Sequence, residues 1–294
     1  MRRFTLILSV LVLFFACDKI DDPFPPNTDV IDTGIVWDDS VYSVENDGER
    51  FVLLEEYTGH LCQACPGGAR EISRLVSKYG EKFIPVSIHT IDVFAAPQPG
   101  AGGTPGAFSS DYRTTAGDEY SKAFTIDALP GGVISRLPVG STPYKLIIGE
   151  WEDEAVKILG SPAVANLGIR NYFNAELNTY QVRIDVEWLE DYTGDMNLQV
   201  QLLEDSIVDW QKDGSDYIEN YMHRHMFREA LDGTWGETIP AASSGEISEF
   251  VFTREFDPTG IGYKLEHMII LAFIYKQSPV YEVMQVNEAH LIGH

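Results

Sequence analysis

The chain of 294 residues contains three cysteines, and their positions indicate where chemistry could occur. Cys17 closes the apolar run of residues 4–16, whereas Cys62 and Cys65 form a C-x-x-C pair after a second apolar run. A C-x-x-C pair at the start of a helix is typical of thiol–disulfide exchange sites. The alternatives are an inert structural disulfide and half of a zinc site, which would need histidines because the only other cysteine, Cys17, belongs to the N-terminal segment. We expect neither a metal nor a cofactor.

The segments around the pair predict a β-α-β unit. Residues 50–57 form a nearly continuous apolar run of strand length, as expected for a strand that is covered on both faces. After Pro66, apolar residues recur at helical spacing until Gly80 ends the helix: Ala69, Ile72, Leu75, Val76 and Tyr79. Residues 83–89 form the next apolar run and predict the second strand.

The predicted helix start gives the two cysteines different roles. Cys62 would feel the positive end of the helix macrodipole, which lowers its pKa, so we expect it to be the exposed, attacking thiolate. Cys65 lies one turn further along the same face and could resolve a mixed disulfide. His60, two residues before Cys62, could stabilise the thiolate by charge or could simply be solvated.

Four stretches carry a resemblance to known proteins: residues 55–66, 129–133, 221–228 and 233–237. Because of the first two stretches, residues 34–162 resemble the thioredoxin-like superfamily. On all four, the mature chain resembles the Bacteroidetes lipoproteins known as the twenty-eight-kilodalton outer membrane protein family. Three positions depart from a standard thioredoxin-like reductase: Leu61 replaces the usual tryptophan, Gln63-Ala64 replaces Gly-Pro, and Gly131 replaces threonine.

The resemblance implies roles for two further residues. Thioredoxin-like folds carry a cis-proline facing the disulfide, and Pro130 occupies that place, with an ordinary trans loop proline as the alternative. The backbone of Leu129 would then offer strand-like hydrogen bonds to a peptide substrate. Glu56 lies six residues before Cys62, where thioredoxins place a buried acid that accepts protons for the resolving cysteine. An exposed strand end at Glu56 is the alternative.

A long insertion at about residues 90–124 interrupts the predicted thioredoxin-like domain. Its first half, 95–109, is rich in proline, glycine and small residues, and residues 111–124 have helical spacing. Such a loop is expected either to border the redox site or to be a tolerated surface insertion. A helix through residues 151–159 then ends before Pro162, which predicts a domain boundary there.

Residues 163–294 predict a second, all-β domain. Apolar and polar residues alternate cleanly over residues 180–188 and 198–203. About seven such strands with turn-like spacers predict an antiparallel sandwich that resembles an immunoglobulin-like module. The predicted fold class is therefore α/β followed by all-β, with a thioredoxin-like domain first.

The second domain offers little chemistry. A strand predicted over residues 221–231 places His223 and His225 on one face, but no third metal ligand is evident, and a packed or exposed pair is expected. Acidic residues within 209–216 resemble a calcium loop only loosely, because the terminal bidentate glutamate is missing. A solvated acidic turn is expected there.

The N-terminus predicts export and lipid attachment. Arg2 and Arg3 precede an apolar run too short for a spanning helix of roughly 20 residues, so residues 1–16 are expected to be a signal peptide. Cleavage before Cys17 would expose it for lipidation. The family resemblance implies that the lipoprotein is located in the outer membrane and faces the periplasm or the cell surface. Ordinary signal-peptidase cleavage with a free Cys17 thiol is the alternative. Residues 17–33 are acidic and proline-rich and predict a spacer.

Charge limits the possible partners, and two functions stay open. A formal net charge of −24 without a basic patch argues against nucleic acid and anionic lipid surfaces. The first function is thiol–disulfide exchange on envelope proteins by Cys62 and Cys65. The second is a surface lipoprotein that binds an envelope or host partner, with the pair as a structural disulfide.

Overall fold

Most of the regular structure is β-sheet, and the helices are few. The computed structural model describes residues 36–139, 144–194, 196–256, 263–277 and 280–293. The helices are α1 (Cys65–Tyr79), α2 (Asp92–Ala95), α3 (Thr115–Ala123) and α4 (Trp151–Ala155), with 3₁₀ turns at Gly80–Lys82, Ala101–Gly103, Ile148–Glu150 and Leu265–His267. None of the helices in these ranges is long and apolar enough to cross a membrane.

The strands of the described residues form two sheets and one hairpin. They are β1 (Asp39–Tyr42), β2 (Val52–Thr58), β3 (Phe83–His89), β4 (Gly131–Ile134), β5 (Ala165–Asn174), β6 (Thr179–Trp188), β7 (Met196–Glu204), β8 (Ile207–Asp213), β9 (Asp216–His223), β10 (Met226–Ala230), β11 (Glu237–Ile239), β12 (Ile247–Glu255), β13 (Met268–Lys276) and β14 (Val283–His290). The larger sheet has the order β14-β13-β7-β10-β3-β2-β4, with β11 added beside β7. The smaller, antiparallel sheet has the order β1-β5-β6-β12, and β8 and β9 form the hairpin.

The predicted β-α-β unit is present. β2 and β3 run parallel, with Val52 opposite Phe83 and Thr58 opposite His89, and α1 connects them. The helix ends at Gly80, whose positive φ of 62° favours glycine at this position. α3 and α4 are shorter than the helical segments predicted in the insertion and after β4.

Both faces of β2 and β3 are buried, which explains their nearly continuous apolar sequence. One face packs beneath α1 and α4, where Leu54 contacts a cluster that includes Leu75 and Trp151. The opposite face packs against α3 and β13. Gly132 of β4 admits no side chain, because an added Cβ would lie 2.2 Å from the indole nitrogen of Trp151. Residues 59–64, which contain Cys62 and are called the redox turn, follow β2 directly. The two strands next to this turn, β2 and β3, are therefore held from both sides.

The largest core lies between the two sheets. Apolar residues of β5, β6 and β12 pack against those of β7, β13 and β14 in one cluster. On β6 the core-facing residues alternate with polar ones as predicted: Tyr180, Val182, Ile184, Val186 and Trp188. The second half of the chain thus has the sandwich-like packing of antiparallel strands that its period-two pattern predicts.

The larger sheet joins the segments before and after Pro162. β10, from the second half of the chain, runs beside β3, where Met226 pairs with Ser87 and the Ser87 N–H donates to the His225 carbonyl oxygen at 2.8 Å. Gly34–His294 form one compact unit. The position predicted as a domain boundary therefore marks a change of packing within a shared sheet, and separate folding of the two predicted domains stays a prediction.

The strand predicted over residues 221–231 is two strands. β9 ends at His223, β10 begins three residues later, and His225 between them has a positive φ of 44°. The two histidines therefore do not share a strand face, which removes the basis for a metal-binding pair. The exposed acidic turn predicted over residues 209–216 is present only at Asp213–Asp216, the turn of the hairpin β8–β9, whereas residues 209–212 lie in β8.

A buried ion pair connects the larger sheet to its surroundings. Arg136, two residues after β4, donates to Glu55 of β2 through Nε (2.9 Å) and Nη2 (2.6 Å), and both side chains are fully buried. Five aromatic rings lie within 6.0 Å of its guanidinium carbon: Tyr120, Phe124, Trp235, Phe273 and Tyr275. Tyr120 and Phe124 come from the segment of α3, Trp235 comes from the loop before β11, and Phe273 and Tyr275 come from β13. The ion pair therefore contacts both halves of the chain.

Arg136→Met should lower the free energy of unfolding by about 3–5 kcal/mol, because it leaves the Glu55 carboxylate buried without its partner. Urea titration followed by tryptophan fluorescence measures this change. Arg74→Met is the matched control, since Arg74 is exposed on α1 and pairs with Glu71, and its unfolding midpoint should hardly move. A loss below about 1 kcal/mol for Arg136→Met would contradict a central role for the pair.

Candidate redox site

Cys62 and Cys65 form a disulfide at the N-terminus of α1. Their Cα atoms are 5.4 Å apart, and Cys65 is the first residue of the helix, followed by Pro66. Each cysteine is 2% exposed. The expected difference between an exposed Cys62 and an inner Cys65 is therefore absent in the oxidised protein.

Glu56 lies beneath α1. Successive side chains of β2 point to opposite faces, so Glu55 faces Arg136 while Glu56 faces the helix. An added Cβ at Gly68 would lie 2.2 Å from Glu56 Oε1, so a larger residue where the helix passes over the carboxyl would have to displace it. Ser87 Oγ donates to Oε2 at 3.2 Å, and Oε1 has no hydrogen-bond partner among the described residues. Burial raises the pKa of Glu56 to about 8, so the group is mostly protonated at neutral pH.

A cavity of about 370 Å³ lies beside Cys65 and Glu56. α1 forms one wall, β3 forms a second with His89 at its end, and the chain from β9 to β10 forms a third with His223. Cys62 is not among the described residues that line it. A carboxyl that holds a proton at neutral pH thus shares a cavity with one cysteine of the pair.

Pro130 follows a cis peptide bond from Leu129. Gly131 of β4 pairs with Tyr57 of β2, which places Pro130 at the level of Thr58, where β2 ends and the redox turn begins. Pro130 is not one of the described residues that line the cavity. It lies at the redox end of the sheet, and its contact with a peptide substrate stays a prediction.

The hairpin β8–β9 covers the redox turn. The backbone N–H groups of Lys212 and Gly214 donate to the carbonyl oxygens of His60 (2.8 Å) and Gln63 (2.9 Å). These bonds hold one strand of the hairpin along residues 60–63. The redox turn is consequently covered by a segment from the second half of the chain.

Gln211 is the buried side chain that joins the hairpin to the turn. Its Nε2 donates to the carbonyl oxygens of Gly59 (3.3 Å) and Cys62 (3.2 Å). The sequence prediction of a solvated acidic turn overlooked this residue. A usable signal was Gly214-Ser215, a glycine-first pair that favours a two-residue hairpin turn.

The insertion borders the redox turn, as one of its two interpretations predicted. The Leu61 N–H donates to the Phe94 carbonyl oxygen at 2.9 Å, and the Phe108 ring meets the His60 ring edge-on at 5.5 Å between centroids. Phe108 also contacts Trp210 of the hairpin at 5.8 Å. Insertion and hairpin therefore close over the same turn.

Three buried histidines meet behind the turn. The ring centroids of His60 and His89 are 6.2 Å apart, and those of His89 and His223 are 5.7 Å apart. Burial lowers the pKa of His60, lowers that of His89 well below its ordinary value, and lowers that of His223 to about 4. All three are neutral at neutral pH, so His60 brings no positive charge to a thiolate. Across the described ranges, no three histidine, cysteine or acidic side chains are arranged to hold a metal ion.

His225 is in the opposite charge state. Burial lowers its pKa, but hydrogen bonds to Asp205 and Glu288 outweigh burial and raise the pKa to about 10. Its Nδ1 lies 3.3 Å from Asp205 Oδ1, and its Nε2 lies 3.4 Å from Glu288 Oε1. His225 is therefore a cation at neutral pH, and it lines the cavity together with the neutral His89 and His223.

Comparison with known proteins places the chain in a family. The sequence profile of outer membrane protein Omp28 matches residues 117–292, which is more than half of the chain. The chain belongs to the Omp28 family. The family resemblance noted from the sequence is thereby confirmed, and Omp28 membership locates the protein in the outer membrane of the cell envelope.

Two solved structures resemble this fold. HBP35 of Porphyromonas gingivalis aligns with a TM-score of 0.58 over 83% of this chain and 76% of its own, at 16% identity. A crystal structure from Agrobacterium tumefaciens aligns with a TM-score of 0.49 over 84% of this chain and 96% of its own, at 11% identity. No curated protein shows significant sequence similarity. At 16% identity, the similarity to HBP35 indicates a shared fold.

The Omp28 segment begins within α3 and includes the hairpin, Gln211 and His223. Cys62, Cys65 and Glu56 lie before it. Family membership therefore establishes where the protein is found, while any chemistry of the pair has to be argued from the geometry of its surroundings.

Gln211→Ala should loosen the hairpin and lower the free energy of unfolding by about 1–2 kcal/mol, because the carbonyl oxygens of Gly59 and Cys62 lose their amide donor. Hydrogen exchange measured by mass spectrometry should show faster exchange over residues 207–223, with β13 and β14 unchanged. Gln98→Ala removes an exposed amide and is the control. Equal exchange over the hairpin in the wild type and in Gln211→Ala would refute this role.

Proposed function

We propose that this Omp28 family protein performs thiol–disulfide exchange in the cell envelope through Cys62 and Cys65. Outside the cytoplasm, disulfides persist and thiols of exported proteins are available as substrates. The pair lies at the N-terminus of a 15-residue helix, where the macrodipole favours the thiolate that forms when the disulfide opens.

The observation that carries the proposal is the Glu56 carboxyl in the cavity beside Cys65. A structural disulfide has no use for an ionisable acid buried next to it, whereas exchange releases a thiolate that must gain a proton. With a pKa of about 8, Glu56 holds a proton at neutral pH and can give it to the Cys65 thiolate. Among the described residues, Oε1 of Glu56 is buried and has no hydrogen-bond partner. This oxygen is therefore available for the proton transfer.

The architecture supports a finer assignment, with residues 34–162 as a thioredoxin-like domain and residues 163–294 as an immunoglobulin-like sandwich. A parallel β-α-β unit, an antiparallel β4 beside β2 and a proline at the redox end of the sheet are the features that a thioredoxin-like domain requires. In this assignment Pro130 shapes the substrate groove beside Cys62.

The reduction potential of the pair tests the function. For an exchanging pair we expect a value above about −300 mV, because structural disulfides of exported proteins lie below that level. Equilibration in glutathione and dithiothreitol buffers, followed by alkylation and mass measurement, gives the value. A lower potential would identify an inert disulfide.

Glu56→Gln should slow reduction of the pair about a hundredfold at pH 7, because the leaving thiolate loses its proton donor. The wild-type rate should also bend near pH 8, where Glu56 ionises, and the variant rate should not. The free energy of unfolding of the wild type should fall as the pH rises from 4.5 to about 8, since the unfolded carboxyl ionises first, and Glu56→Gln should remove this loss.

Glu176→Gln is the control for this variant. Glu176 is exposed in the turn between β5 and β6, so its loss should change neither the rate nor the pH dependence. Equal rates for Glu56→Gln and wild type at pH 7 would remove Glu56 from the reaction.

Binding of an envelope or host partner is the second candidate function, and the burial of the pair favours it. Each cysteine is 2% exposed beneath the hairpin, as expected for a structural disulfide. The hairpin also exposes apolar side chains that suit a protein contact: Val208, Ile218 and Met222. A potential below about −300 mV together with retained partner binding would select this function.

We further propose that a lipid on Cys17, a residue outside the described ranges, anchors the protein to the outer membrane. The apolar run that ends at this cysteine and the acidic spacer after it support the proposal. The anchored protein would face the periplasm or the cell surface.

Cys17→Ser should abolish labelling of the protein by an alkyne fatty acid and should move it from the detergent phase to the aqueous phase in Triton X-114 partition. The reason is that serine cannot form the thioether to the lipid. The double variant Cys62→Ser/Cys65→Ser, which keeps Cys17, should remain labelled and in the detergent phase. Unchanged labelling of Cys17→Ser would disprove the anchor.

A further inference from the structure

The redox turn is bonded to the hairpin β8–β9, and a cavity beside it reaches Cys65. The hairpin donates hydrogen bonds to four carbonyl oxygens of the turn, those of Gly59, His60, Cys62 and Gln63. A polypeptide substrate that docks as an added strand along these groups would first have to displace the hairpin. Gln211, Met222 and His223 of the hairpin line the cavity as well.

The cavity suits a small molecule. Its volume of about 370 Å³ lies near the lower end of the range for ligand-binding cavities. Ser73, Met222 and Arg224 at its rim are exposed, so it opens to solvent. Within the described part of the chain, both ring nitrogens of His89 and Nε2 of His223 are buried without a hydrogen-bond partner, and both residues line the cavity. A polar ligand would satisfy these atoms.

The cavity lining is positive in a protein whose formal net charge is −24. Arg70, Arg224 and the protonated His225 line it. Glu56 is the only carboxyl among the described lining residues, and it is protonated at neutral pH. Each of the three cations pairs with carboxylates that lie outside the described lining: Arg70 with Asp213, Arg224 with Asp205, and His225 with Asp205 and Glu288. A ligand in the cavity would therefore lie nearer to the cations than to their carboxylates, which favours an anion.

We infer that the exchange partner of this site is a small anionic thiol, or its disulfide, that enters the cavity and reacts at Cys65. The inference rests on the exchange function proposed above, and it adds the substrate class and the sulfur that is attacked. Cys65 is then the cysteine that reacts with the substrate, whereas the sequence analysis assigned this role to Cys62. The physical reason is access, because Cys65 lines the cavity and Cys62 is not among the described residues that line it.

The reaction has two steps. A small thiolate first forms a bond to Cys65 Sγ, the Cys62–Cys65 bond breaks, and Cys62 leaves as a thiolate that takes a proton from solvent. A second small thiolate then attacks the outer sulfur of the mixed disulfide, so the small disulfide leaves and Cys65 becomes a thiolate. Glu56 gives its proton to this thiolate and regains one from solvent. Two small thiols are oxidised, and the protein disulfide is reduced.

Three small thiols of different charge test the inference on the unmodified protein: anionic 2-mercaptoethanesulfonate, neutral 2-mercaptoethanol and cationic cysteamine. For each reagent, the rate of reduction of the Cys62–Cys65 disulfide is divided by the concentration of its thiolate, so that the three rates can be compared. We expect the anion to react about tenfold faster than the cation at low salt, and the preference to shrink at high salt. An unfolded protein carrying free thiols should react more slowly than the anion.

Variants locate the preference within the cavity. Arg70→Gln should reduce the anion preference about threefold, whereas Arg74→Gln, one turn along α1 and outside the described lining, should leave it unchanged. With the disulfide of 2-mercaptoethanesulfonate, the Cys65 thiol of Cys62→Ser should form the mixed disulfide faster than the Cys62 thiol of Cys65→Ser.

The results separate failure of the inference from failure of the exchange function. If the potential lies below about −300 mV and none of the thiols opens the pair, the exchange function fails. If the pair opens at rates independent of thiol charge, or if the Cys62 thiol reacts faster, exchange stands and the inference is overturned. Faster reaction with the unfolded protein thiol than with the anion would also overturn it, in favour of a protein substrate.

Discussion

The ion pair between Arg136 and Glu55 lies fully buried beside β2 and β4 of the larger sheet, and the packing around it depends on keeping it intact. Removing two charges from water is costly, and the cost is offset only when the geometry and the remaining contacts are complete. Here a two-point hydrogen bond and aromatic faces from α3, β13 and the loop before β11 supply most of those contacts, while Nη1 of Arg136 is buried without a hydrogen-bond partner among the described residues. Because the contributing segments lie on both sides of Pro162, neither half can rearrange without exposing a charge, and this favours folding as one unit.

The neighbouring acids Glu55 and Glu56 have opposite roles because strand alternation sends them to opposite faces of β2. Glu55 meets a guanidinium and forms an ion pair. Glu56 meets one hydroxyl, that of Ser87, so burial prevails and holds it in the protonated form at neutral pH. A buried acid of this kind destabilises the fold whenever it ionises, and the exchange reaction that we propose would use its proton beside Cys65.

The local part of the site could be predicted from sequence, and its cover could not. β2, α1 and β3 follow one another in the chain, so apolar runs and helical spacing specify them without help from distant residues. Gln211 lies 149 positions after the Cys62 carbonyl that it contacts, in a polar segment whose burial depends on that contact. The break at His225 within the predicted strand over residues 221–231 likewise depends on partners elsewhere in the chain, two carboxylates that no local pattern connects to it.

The second half of the chain therefore shapes the surroundings of a pair that lies in the first half. The hairpin occupies the carbonyl groups of the redox turn, and residues 221–225 form one wall of the cavity in which Glu56 is buried. Without that wall, water would reach the carboxyl and its pKa would return toward the ordinary value. Glu56 would then be ionised at neutral pH and, in the exchange reaction that we propose, could no longer protonate the Cys65 thiolate. The segment that identifies the family thus sets both the cover of the disulfide and the protonation state of the acid beside it.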